Sequence, residues 1–143
     1  MRLVWLLLLL ASLAPAPASA QSEPLDSATA SHLRAFITEL QRAVHQNDSL
    51  AVARLVSYPL RVNAPRSIRW VRTRTQFIGR YSRIFTPVVR AAIAAQDPDS
   101  VFHNWQGFMI GDGEVWFQDR CPGAPTCTVH FAISAVNLDS LSR

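Results

Sequence analysis

The chain has 143 residues, two cysteines, 14 Arg and no Lys against 10 acidic residues, for a formal net charge of +4. This length supports a single hydrophobic core and is too short for two. So small a net charge argues against nucleic acid as the partner. No His or Cys cluster has metal-ligand spacing and no Gly-rich phosphate loop or nucleophile elbow is present, so no metal or cofactor is expected.

Arg2, the apolar run Leu3 to Leu13, Pro15 and Pro17, and the small residues Ala18-Ser19-Ala20 form the three parts of a secretory signal peptide over residues 1–20. The run is shorter than the roughly 20 apolar residues that span a bilayer, and no later segment replaces it. The mature chain is therefore expected to lack a transmembrane anchor and to be soluble in the periplasm or outside the cell. Residues 21–31 are Ser, Ala, Thr, Pro and acid without an apolar face and read as a flexible lead-in. Residues 32–143 read as one domain.

Leu33, Phe36, Ile37, Leu40 and Val44 recur at helical spacing, and a second short helix follows Asn47-Asp48, through Leu50, Val52, Ala53 and Leu55. Asn47-Asp48-Ser49 is formally a glycosylation sequon, and an Asn or Asp there can equally cap the second helix. Tyr58, Leu60 and Val62 alternate as one face of a strand that Pro59 restricts to a sheet edge or a strand start. After the Ala64-Pro65 turn, Ser67 to Arg72 alternates again, with Ile68 and Trp70 on one face. Thr75 can cap a helix through Phe77, Tyr81, Ile84 and Phe85, and Thr86-Pro87 starts another that ends before Asp97-Pro98.

The last third reads as β. Asp112-Gly113 predicts a two-residue hairpin turn that pairs Ile110 with Val115, Met109 with Trp116 and Phe108 with Phe117. A third strand, Thr128 to Asn137, then places Phe131 opposite Phe117, Ile133 opposite Val115 and Cys127 opposite Cys121 if the connection is symmetric about Ala124. That facing position, in an exported chain, predicts a Cys121–Cys127 disulfide rather than a redox or metal pair.

Helices followed by strands in this order predict an α+β fold: N-terminal helices packed on a curved, mainly antiparallel sheet. Val56-Ser57-Tyr58-Pro59-Leu60-Arg61-Val62, Phe77 to Tyr81 with Ile84-Phe85-Thr86-Pro87, and Asn104-Trp105-Gln106-Gly107 through Ile110 to Phe117 resemble short exported bacterial proteins of the NTF2-like (cystatin-like α+β) superfamily. The likeness spans about Leu33 to Asn137. It implies a cone between sheet and helices, used in that superfamily by isomerases, dehydratases, cyclases and binding modules.

The charge distribution directs the functional reading. From Asp48 to Asp97 no acidic residue occurs, and every charged residue from Arg54 to Arg90 is an arginine. Tyr58, Trp70, Tyr81 and Trp105 are the aromatics expected to line a cavity, with Arg61 and Arg69 at its rim and His103 at its mouth. Asp112, Glu114 and Asp119 fall off the apolar face, so no inward carboxylate is expected. The leading expectation is a non-catalytic module that binds a small anionic ligand or an acidic protein partner. One alternative is an enzyme of isomerase, dehydratase or hydrolase type using His103 and Tyr81 as acid and base. Another is an inhibitor or immunity-type protein, and the open sheet face carrying Trp116 and His130 can support a homodimer.

Overall fold

Asp26 starts the first helix by accepting backbone N–H groups of Ala28 and Thr29 at 3.0 Å each and the Thr29 hydroxyl at 2.6 Å. These are donors that no helical carbonyl reaches. The Thr29 hydroxyl, with these backbone bonds, holds the Asp26 carboxyl below the ordinary aspartate range. In this computed structural model, which describes residues 24–121 and 130–138, helix α1 therefore spans Ser27–His45. Residues 27–31, expected as flexible lead-in, are its opening turns. The apolar stripe is the one read from the sequence: Leu33, Phe36, Ile37, Leu40, Ala43 and Val44 are buried, each large side chain contributing about 1.5–3 kcal/mol.

Asn47, at φ 56°, reverses the chain, and the Asp48 carboxylate accepts the Ala51 N–H at 2.9 Å to cap helix α2, Ser49–Arg54. Strand β1 (Val56–Ala64) and strand β2 (Ser67–Val71) form an antiparallel hairpin. Three helices follow: α3 (Arg74–Gly79), α4 (Tyr81–Ile84) and α5 (Pro87–Ala95). The N-cap of α3 is Thr73, whose hydroxyl accepts from Gln76 at 3.2 Å, rather than Thr75. Thr86 and Pro87 open α5 as expected.

Strands β3 (Phe102–Asn104), β4 (Gly107–Ile110), β5 (Val115–Asp119) and β6 (Phe131–Asn137) complete a mixed sheet of order β2-β1-β6-β5-β4-β3, with a single parallel pair, β1 and β6, among the described residues. The molecule is thus α+β, with helices on one face of a sheet that is not closed. The inner face carries Leu60, Val62, Val71, Ile110, Val115, Phe117 and Ile133. Phe36 of α1 seats on it with its ring 4.8 Å from that of Phe117 and 5.8 Å from that of Phe131.

Four local expectations are corrected. Strand β1 is internal, between β2 and β6, and tolerates Pro59 because the β6 ladder breaks between Val56 and Arg61 while the β2 ladder begins only at Leu60. In β2 the faces are reversed: Leu60 pairs with Val71 and Val62 with Arg69, so Val71 and Arg69 face the helices, while Ile68 and Trp70 are 56% and 51% exposed. The β4–β5 pairs form as predicted, yet the turn is four residues long. Gly111 and Gly113 adopt φ 65° and 111°, and the Glu114 side chain folds back to accept the Asp112 N–H at 2.6 Å.

Finally, β6 slides by two residues. Phe117 pairs with Ile133 and Asp119 with Phe131, and Trp116 pairs with Ala135, leaving Ser134 as a bulge. The β5–β6 register expected from the sequence is thus not the one formed among the described residues. Cys121 is not a free cysteine, and Cys127 lies outside the described residues, as does the segment 1–20 read as a signal peptide. No helix among the described residues is long and apolar enough to cross a membrane.

Candidate functional site

Because β2 turns Arg69 toward the helices, Arg69 meets Arg80 and Arg83 from the α3–α4 corner. The three guanidinium-bearing residues border a cleft of about 540 Å³ whose floor is apolar, formed by Val62, Val71 and Ile84. Among the described residues none of the three has a carboxylate partner, since the one ion pair there is Arg34–Asp99. Arginines at a concave apolar site bind planar oxyanions well, because a guanidinium offers donors in a fork that matches carboxylate or phosphate oxygens.

The opposite sheet face holds a second depression, of about 570 Å³. It contains Arg61 and Trp70 from the β1–β2 hairpin, Trp105 from the β3–β4 turn and Trp116 from β5. Trp105 is 90% exposed. Arg61, expected beside Arg69 at the rim of one cavity, belongs to this face and not to the arginine cleft.

The two tyrosines line none of the described cavities. Tyr58 packs edge-on to Phe77, with ring centroids 6.4 Å apart, and donates its hydroxyl to the Ala53 carbonyl at 3.1 Å. Burial pushes its hydroxyl up to about 12, against a smaller opposing pull from the Arg74 charge. Tyr81 stacks on Phe85 at 5.3 Å beneath the Arg90 guanidinium, 5.2 Å from the ring centroid. Its hydroxyl is buried without a hydrogen-bond partner among the described residues. Burial raises its pKa, the Arg90 charge opposes that and the Asp48 charge adds to it. Neither phenol is a base near neutral pH.

His103 lies in β3 with its ring 5.4 Å from that of Phe108. It borders a cavity of about 560 Å³ that also takes in Leu25, Leu33 and Asp99, at the start of α1. Tyr81 and His103 therefore share none of the described cavities. Among the described residues no group of His, Cys, Asp and Glu is placed to hold a metal ion.

Two features escaped sequence reasoning. Glu114 is 3% exposed and is the one buried charged residue among those described. Its Oε2 accepts the Asp112 N–H across the hairpin turn; a Glu just after Asp-Gly is the only signal the sequence carries for it. Arg80 and Arg83 were read as part of a diffuse basic stretch, and only the fold selects them. Comparison with known proteins finds no matching family model, no matching curated protein and no matching solved structure.

Proposed function

We propose that this chain is a non-catalytic, exported binding module of NTF2-like build that takes a small amphiphilic anion, a carboxylate or phosphate attached to an apolar body. The observation that carries the reading is the arginine cleft: Arg69, Arg80 and Arg83, without counter-ions among the described residues, over the apolar floor of Val62, Val71 and Ile84. The headgroup would sit among the guanidinium groups and the apolar body on the floor. Concavity favours a small ligand over the acidic protein partner that charge alone admits.

Calorimetric titration with dodecyl phosphate, dodecanoate and inorganic phosphate tests the reading. The amphiphiles should bind more tightly than phosphate alone, and R69E/R80E/R83E should weaken them by at least about a hundredfold, or roughly 2.7 kcal/mol. Raised salt should weaken wild-type binding as well. Equal affinity in the wild type and the triple variant, with the fold intact by circular dichroism, would refute it.

A further inference from the structure

Every tryptophan of the chain other than Trp5 lines the depression on the outer sheet face. Elements remote in sequence deliver them: Trp70 from β2, Trp105 from the β3–β4 turn and Trp116 from β5. None of the close ring pairs among the described residues includes a tryptophan. The three indoles are thus separate platforms, not a cluster packed on itself. Trp70 and Trp105 are 51% and 90% exposed, a costly use of the largest side chains unless something covers them.

The ground between the platforms is polar and internally braced. Arg61 Nε donates to Asn63 Oδ1 at 2.8 Å, Asn63 Nδ2 to Asn137 Oδ1 at 2.5 Å, and Asn137 Nδ2 to the Gly113 carbonyl at 2.6 Å. Gln118 Nε2 donates to the Gln106 carbonyl at 3.0 Å, and the Asn104 side chain accepts the Gln106 N–H at 2.8 Å. These bonds hold the turn that carries Trp105. They leave the terminal nitrogens of Arg61 and the Gln118 amide oxygen available to a ligand.

We propose that this face is a second binding site, for a β-linked pyranose oligosaccharide. Such a chain presents flat C–H faces, which stack on electron-rich indole rings, and a rim of hydroxyls that both donate and accept hydrogen bonds. Asn and Gln amides and the Arg61 guanidinium match that rim, because amides also carry both kinds of group. No carboxylate lines the depression, so a neutral or weakly acidic sugar meets no like charge. A second copy of the chain fits less well. It would bring another Arg61 and the same braced amides, whereas the centres of homodimer interfaces are apolar.

The test is titration of the purified protein with cellohexaose, chitohexaose and maltohexaose at millimolar concentration, read by tryptophan emission and by sedimentation. The expected result is a blue-shifted emission with at least one β-linked hexasaccharide, a weaker response to α-linked maltohexaose, and loss of about tenfold in affinity for each of W70A and W105A. Both substitutions remove exposed side chains, so thermal unfolding should be unchanged. No response to either β-linked sugar would overturn the proposal, as would binding that survives both substitutions. A dimer that the tryptophan substitutions dissociate would assign the face to a second copy and would also overturn it.

Discussion

Removing one oxygen from Tyr81 should stabilise the protein. The Tyr81 hydroxyl is buried and has no hydrogen-bond partner among the described residues, so folding strips its water with no protein bond in return. An unsatisfied buried hydroxyl costs about 1–3 kcal/mol. Tyr81→Phe retains the ring that stacks on Phe85 at 5.3 Å, meets Phe77 at 5.9 Å and lies under Arg90. Set against the gain is the space left by a single atom, so the net expectation is a stabilisation of about 1 kcal/mol. For a domain of this size that is a rise in melting temperature of about 3–6 °C. Tyr58→Phe is the internal control. It makes the same chemical change but removes a hydrogen bond to the Ala53 carbonyl at 3.1 Å, so it should destabilise by about 1 kcal/mol. Urea denaturation followed by circular dichroism reads both. If Tyr81→Phe loses as much stability as Tyr58→Phe, the hydroxyl has a partner and the reasoning fails.

The same tyrosines should ionise late in an alkaline titration of the folded protein. The chain has only these two, and burial raises both, Tyr58 to about 12. The phenolate absorbance step should therefore come above the ordinary value of about 10 in the folded protein and return to it once the chain is unfolded in urea. Since the folded pKa values lie above the unfolded ones, the stability linked to these groups is complete below about pH 10 and is lost as pH rises through the folded values. A full native step near the ordinary value would contradict the burial. Gly111→Ala should destabilise by about 2 kcal/mol. Gly111 sits at φ 65°, and an added Cβ would come within 2.2 Å of Glu114 Oε2 and 2.9 Å of the Ala92 Cβ. A melting temperature unchanged by that substitution would show that the hairpin reshapes without cost.

What the chain alone determined is what depends on neighbours in sequence. The stripe from Leu33 to Val44, the Asp48 cap, the Thr86-Pro87 helix start and the Phe108–Phe117 hairpin pairs all follow from local spacing, and each is formed. Residues 27–31 were misjudged because one side chain, Asp26, supplies the cap that their composition lacks. The long-range choices belong to the tertiary structure. In β2 the sequence offers an apolar residue on each face, and only the Leu60–Val71 pairing turns Arg69 inward and Trp70 outward. In β6 a slip of two residues leaves the same side chains on the same face, so alternation cannot distinguish the two registers; the bulge at Ser134 then lets Ile133 and Val136 both face inward. Both candidate sites depend on those choices. Which of many arginines share a cleft, and which tryptophans share a face, is decided by packing between segments that the chain keeps far apart, and residue spacing carries no record of it.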